Sequence, residues 1–230
     1  MDSMDDHERR VSRRELLRLG VAAGVASMWT PRGLPHGWQQ QALEPTPFTV
    51  PGPFYPVLKP MDRNTDLTRL RGHKRRAKGE AIQVVGRVVN SRGEPVRGAQ
   101  IELWQANTFG RYDHPSDPNP APLDPDFQGY AVQRTDREGR YRFLTIKPGP
   151  YPNDASGRMR TPHIHLDVMG HTDRCITQVF FKGETLNDQD RVLQGVPRNR
   201  DALVGELLPA PAGEDPTTRL ARWDIVLTRG

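Results

Sequence analysis

His163 and His165 stand two residues apart in the stretch Arg160-Thr161-Pro162-His163-Ile164-His165-Leu166-Asp167-Val168. Its alternating polar and apolar tail reads as a strand. Side chains two apart on a strand share a face, roughly 7 Å apart along it. Both imidazoles can therefore lean onto one metal ion. An H-x-H pair alone is as ordinary on a polar strand face as in a metal site, so its meaning rests on what converges with it. Tyr112, in Thr108-Phe109-Gly110-Arg111-Tyr112-Asp113-His114, and Tyr151, in Lys147-Pro148-Gly149-Pro150-Tyr151-Pro152, are the candidates. A phenol has a pKa of roughly 10 and is normally neutral, but a trivalent cation stabilises the phenolate. Two phenolates and two imidazoles suit Fe(III) over zinc. A structural zinc site calls for cysteines, and Cys175 is the only one. Each tyrosine taken singly reads as a turn-packing aromatic; the metal reading rests on all four residues together.

The elements that must position these residues read as short strands. The 230 residues include 21 glycines and 22 prolines, a proportion that favours ordered turns over long helices. Ala81 to Asn90 and Ala99 to Ala106 read as one β-hairpin across the turn Ser91-Arg92-Gly93-Glu94-Pro95. Gly129 to Thr135 and Arg140 to Ile146 read as a second, across Asp136-Arg137-Glu138-Gly139. His163 to Val168, Ile176 to Phe181 and Ala221 to Thr228 supply three further strands, and Asn199 to Leu208 a short helix. Strands at this spacing predict an all-β protein, an antiparallel β-sandwich with long loops. Pro45 to Pro60 is a proline-rich arm, unable to be helix or central strand. Its Phe54 and Tyr55 either wall a pocket or pin the arm to the core.

Charge and cysteine usage narrow the classes. The net charge is +5 and the pI about 9.6. Part of that charge lies in the run Arg69 to Lys78, which reads as a solvated loop or an oligomer contact. No aromatic interleaves the run, so no nucleic-acid stacking platform is expected. One cysteine allows no internal disulfide. Ser12-Arg13-Arg14-Glu15-Leu16-Leu17-Arg18 has the pattern of a twin-arginine export signal. The apolar run that follows, Leu19 to Met28, is too short to span a bilayer in a mature protein. The alternative is an ordinary amphipathic helix. The expected organisation is export signal and spacer over 1–35, arm and basic loop over 36–80, and catalytic β-sandwich over 81–230, with a periplasmic or secreted destination.

Gly52-Pro53-Phe54-Tyr55-Pro56, Gly98 to Tyr112 (GAQIELWQANTFGRY), Thr145 to Pro152 (TIKPGPYP), Arg160 to His165 (RTPHIH) and Ile176 to Phe181 (ITQVFF) closely resemble intradiol ring-cleavage dioxygenases. The likeness covers about residues 45 to 230, in the family's order. It is strongest to the protocatechuate 3,4-dioxygenase branch and its iron-carrying β-type chain. The resemblance implies a transthyretin-like (prealbumin-like) core and a non-haem Fe(III) held by Tyr112, Tyr151, His163 and His165. Tyr151 is implied to leave the iron when substrate arrives. Arg160 and Gln178 are implied as catalytic residues, with Arg160, Phe54 and Tyr55 at the substrate. The implied reaction inserts both atoms of O2 into a catechol, protocatechuate-like by preference, to give a cis,cis-muconate-type diacid. A homo-oligomer or pairing with a homologous chain is implied as well.

The chain departs from the branch in two places. Asn153 stands where the branch tends to carry tryptophan, and the loop from Asn153 to Met159 is short and polar. No stretch reads as the helical N-terminal linker of catechol 1,2-dioxygenases, so that branch is not the expected one. A non-catalytic transthyretin-like binding module accounts for the hairpins and the P-G-x-Y end. It does not account for RTPHIH, Tyr112 or Gln178.

Overall fold

The computed structural model describes residues 42–59, 64–152, 157–210 and 212–230. The twin-arginine stretch Ser12 to Arg18 and Asn153 lie outside the described residues. Twelve strands are formed in the described part: β1 (Ala81–Asn90), β2 (Gln100–Trp104), β3 (Tyr130–Arg134), β4 (Arg140–Ile146), β5 (Tyr151–Pro152), β6 (Met159–Arg160), β7 (His163–Met169), β8 (Arg174–Phe181), β9 (Val204–Gly205), β10 (Leu207–Leu208), β11 (Arg219–Arg222) and β12 (Ile225–Leu227). Among the described residues, helix is confined to one four-residue turn, α1 (Arg191–Gln194), and two 3-10 turns, Asn187–Gln189 and Arg200–Leu203.

The all-β expectation holds; the purely antiparallel one does not. One sheet runs β10-β11-β1-β12, with β4 also on β1, and the other β3-β2-β7-β8-β9. β1 pairs antiparallel with β4 but parallel with β11 and β12, and β8 pairs parallel with β9. The long connections after β8 let the chain return in the direction it left, which parallel pairing requires. Both expected hairpins are also corrected, because β1 and β2 lie in different sheets, as do β3 and β4. β1 has no free edge for β2, with β4 on one side and β11 then β12 on the other. The turn after β1 instead folds back onto it, with Asn90 N–H on Glu94 O at 2.9 Å and Val96 N–H on Val88 O at 2.9 Å. Thr135 stitches the two crossings together: its Oγ1 accepts from Ala99 N–H and donates to Val96 O. The helix expected over Asn199 to Leu208 is one 3-10 turn followed by β9 and β10.

One apolar cluster draws on both sheets. It includes Ile82, Val84 and Val88 of β1, Phe143 of β4, Ile101 and Leu103 of β2, and Ile164, Leu166 and Val168 of β7. On β7 these alternate with His163, His165 and Asp167, so the histidines face away from this core. They are buried all the same, because loops and the proline-rich arm cover that face. The arm bonds to β8 and β12 through Thr49 N–H on Ile176 O at 2.9 Å and Thr46 N–H on Val226 O at 3.0 Å. The basic loop is anchored as well. His73 Nδ1 and Arg75 Nε reach the Asp126 carboxylate at 2.9 and 3.1 Å, and Asp124 accepts from Lys78 N–H. His73 thus has a partner that its sequence neighbourhood does not reveal.

The expected strand Ala221 to Thr228 is split at Trp223. Trp223 N–H donates to Val85 O, and Trp223 O accepts from the Tyr141 hydroxyl at 2.6 Å. A Cβ on Gly86 would lie 1.8 Å from Trp223 O. Gly86→Ala is therefore expected to destabilise the fold by at least about 1–3 kcal/mol, the scale of overpacking. Urea unfolding should show a lower midpoint; an unchanged midpoint would contradict the close approach.

Candidate metal centre

Backbone contacts between two loops bring the tyrosines together. After β2, Asn107 Oδ1 accepts from Phe109 and Arg111 N–H at 2.9 and 3.0 Å, closing a tight loop at Gly110, whose φ is +78°. Asp117 accepts from Tyr112 N–H at 2.7 Å, and Asn119 Nδ2 donates to Gly110 O. On the other loop, Gly149 N–H donates to Asn107 O at 3.0 Å. A Cβ on Gly110 would lie 2.1 Å from Pro150 O, and one on Gly149 would lie 2.4 Å from Thr108 O. Only glycines allow the loops to touch this closely. The Tyr112 and Tyr151 rings then meet edge-on at 5.3 Å. Tyr151 sits on β5 directly opposite Arg160 on β6.

The four candidate ligands converge in two phenol–imidazole pairs. Tyr112 Oη is 3.2 Å from His165 Nε2, and Tyr151 Oη is 3.3 Å from His163 Nε2. The imidazole centroids are 4.9 Å apart. His163 Nδ1 lies 2.7 Å from Thr161 O, so the proton of the neutral ring belongs on Nδ1 and the Nε2 lone pair faces the centre. Aromatic rings wall the cluster. Trp104 stacks on His165 at 4.7 Å, Phe180 packs on His163 at 5.7 Å, and Phe54 packs on Tyr112 at 4.9 Å and Tyr151 at 6.2 Å.

Burial sets the charge states. It pushes both imidazoles well below their ordinary pKa; Arg160 reinforces it at His163, and His163 and Arg160 at His165. It also pushes the Tyr112 hydroxyl well up, with Tyr151 adding to the rise. Tyr151 is raised by burial too, against the Arg160 charge that favours its ionisation. The metal-free cluster is thus a set of neutral donors with two lone-pair nitrogens and two removable phenolic protons. Among the described residues no three His, Cys, Asp or Glu gather at one place, so the donor set here is phenol and imidazole. It fits a hard, highly charged ion such as Fe(III).

Arg160 and Gln178 join the cluster. Arg160 Nη1 reaches Tyr151 Oη at 3.4 Å, and its Nη2 donates to Gln178 Oε1 at 2.6 Å. Arg160 is also in a buried salt bridge, its Nε donating to Asp190 Oδ2 at 2.7 Å. The two arm aromatics part company. Phe54 lies against both tyrosines, whereas Tyr55 packs edge-on against Trp104 and gives its hydroxyl to Glu102. Tyr55 therefore stands behind Trp104 as a pin for the arm. The sequence pointed to no role for Asp190, Phe180 or Asn107. Asp190 ahead of a short apolar turn carries an N-cap signal, but its second partner is set by the tertiary fold.

The nearly all-β fold and the matches to known proteins agree on a dioxygenase. A family model described as "Dioxygenase" matches residues 50–229. The beta chain of protocatechuate 3,4-dioxygenase from Burkholderia cepacia is 45% identical over 151 residues, covering 64% of this chain and 63% of that relative. Hydroxyquinol 1,2-dioxygenase from Nocardioides simplex is 35% identical over 173 residues, covering 66% of this chain and 55% of that relative. The solved dioxygenase domain of a dioxygenase carbohydrate-binding protein fusion from Streptomyces sp. SirexAA-E superposes with a TM-score of 0.61 at 27% identity, covering 81% of this chain and 100% of that one. The chain belongs to the intradiol ring-cleavage dioxygenase family. It spans 63% and 55% of the lengths of these two relatives.

The buried imidazoles predict a pH dependence for the metal-free protein. Unfolded, each takes a proton near its ordinary pKa of about 6.5; folded, each refuses it until well below. The unfolded state then binds more protons, so stability rises with pH. The contribution is present above about pH 6.5 and lost as pH falls, at up to roughly 1.4 kcal/mol per pH unit for each imidazole. Urea unfolding at about pH 7.5 and 5.5 measures it; equal stability at the two values would contradict the buried neutral state.

Proposed function

We propose that the chain is a non-haem Fe(III) intradiol dioxygenase. It would cleave catechol-type aromatics between their hydroxyls and place both atoms of O2 in the two carboxyl groups of a cis,cis-muconate-type diacid. The observation that carries this reading is the convergence of Tyr112 with His165 and Tyr151 with His163 at 3.2 and 3.3 Å. When bound, the Fe(III) supplies Lewis acidity that draws electron density from a chelated catecholate ring.

The chain's own groups do the rest. Nε2 of His163 and His165 and the oxygens of Tyr112 and Tyr151 would hold the metal. Of the two tyrosines, Tyr151 would be the one placed to act as a base: its oxygen contacts Arg160, whose charge would favour the phenolate, and that phenolate could take a catechol proton. The Arg160 guanidinium, fixed beside Tyr151, stabilises negative charge as it develops on the substrate ring. Phe54 and Trp104 keep water from the aromatic face.

A protocatechuate-like substrate is favoured because the relative sharing 45% identity bears that name. Hydroxyquinol is the second candidate by the same reasoning. A partner chain is supported by the arm's exposed apolar side chains, Phe48, Val57 and Leu58; a second copy or a homologous chain would cover them. We read the two sheets around one core as the layers of a transthyretin-like sandwich. The pattern Ser12 to Arg18 supports export to the periplasm or beyond. No helix among the described residues is long and apolar enough to cross a membrane.

The test is turnover of protocatechuate, hydroxyquinol and catechol under 18O2 by the iron-loaded protein. The expected product is a ring-opened diacid carrying both labelled atoms. Arg160→Ala should lower kcat/KM by about 100-fold, or about 3 kcal/mol. No diacid from any of the three catechols would sink the reading.

A further inference from the structure

Asp190 is the most deeply buried carboxylate among the described residues, with its residue 1% exposed. Its two oxygens face different structures. Oδ1 accepts from Val192 and Leu193 N–H, both at 3.0 Å, and so caps α1. Oδ2 accepts from Arg160 Nε at 2.7 Å and from Thr161 N–H at 3.2 Å. Both oxygens are thereby engaged, and the carboxylate has no slack.

This matters because a guanidinium presents its N–H groups in a rigid planar fork. Arg160 Nε is taken by Asp190 and Nη2 by Gln178 Oε1. Gln178 cannot turn freely, since its Nε2 donates to Val50 O at 2.8 Å. With two edges of the plane held, Nη1 is the remaining arm, and it points at Tyr151 Oη. Arg160 would otherwise be a buried cation with neutral imidazoles and phenols around it, free to rotate about its long stem.

We propose that Asp190 is a positioning residue: by holding Arg160 Nε it determines which edge of the guanidinium meets the Tyr151 oxygen and the substrate beside it. The proposal deepens the dioxygenase reading and, for its effect on turnover, rests on it.

Asp190→Asn separates this role from the helix cap. Asparagine is a good N-cap, so its Oδ1 can keep Val192 and Leu193. Its Nδ2 would then bring a donor against the donors of Arg160 and Thr161. Turning the amide over would satisfy Arg160 only by facing the cap with N–H groups. A double variant, Asp190→Asn with Arg160→Met, removes the buried cation and keeps a folded comparison available should the single variant be unstable.

Two readouts decide the proposal. In the metal-free protein, the 15N–1H signal of Arg160 Nε, assigned by its loss in Arg160→Met, should move and exchange faster with water in Asp190→Asn. An unchanged signal would overturn the proposal. In the iron-loaded protein, Asp190→Asn should lower kcat on the order of 10- to 100-fold with little change in KM, and the double variant should be no slower than Arg160→Met alone. Native kcat in Asp190→Asn would overturn the role in turnover, and losses that multiply in the double variant would show a role independent of Arg160. If the wild type cleaves no catechol, the functional reading fails by itself, and the Nε signal still decides whether Asp190 aims Arg160.

Discussion

Two phenols and two imidazoles are buried together with their lone pairs turned inward, and that desolvated cluster is the constraint on which the site depends. Left to itself it is held by weak, neutral contacts at 3.2 and 3.3 Å. Burial keeps the imidazoles unprotonated and the phenols un-ionised. Both effects leave the four donors neutral, with the Arg160 cation beside them. A bound cation would reverse the balance, replacing phenolic protons with coordinate bonds in a medium where charge interactions are poorly screened. What such a site offers an ion in place of water is two phenol oxygens and two imidazole nitrogens.

The fold keeps the cluster dry by splitting the two faces of β7. One face supplies Ile164, Leu166 and Val168 to the core shared by both sheets. The other presents His163 and His165 to Tyr151 and Tyr112 from the loops. The histidines therefore sit on a strand that packing holds in place, a better platform than a loop. The tyrosines come from loops, but from loops locked to each other where Gly110 meets Pro150 and Gly149 meets Thr108. Behind these stand Trp104 on His165 and the Asp190–Arg160–Gln178 chain on Tyr151, ending on the backbone of the arm at Val50. The arm thus belongs energetically to the site as well as to the surface.

Much of this centre was legible in the sequence because its signals are local. Alternation around His163 and His165 marks a strand face, and prolines around Tyr151 mark a turn of one shape. Arg160 and Gln178 were reached through motif resemblance, and the structure brings both to Tyr151. What the sequence left open is what distant segments decide. Alternation identifies β1 and β2 as strands but not as members of different sheets, since pairing depends on which edges the C-terminal strands occupy. Tyr55 and Phe54 are adjacent and chemically alike, yet Glu102 draws one away from the site while Tyr112 and Tyr151 receive the other. The bonds of Asp126 to His73 and Arg75 appear only when two loops meet.

The most direct measurement is the visible absorption spectrum of the Fe(III)-loaded protein beside that of Tyr112→Phe loaded in the same way. Phenolate oxygens bound to Fe(III) give a broad charge-transfer band and a red-brown colour. The wild type should show that band, and the variant should show a weaker, displaced band or fail to retain the metal. A wild type that retains iron without colour, or a variant with an identical spectrum, would contradict the assignment of the tyrosines as ligands.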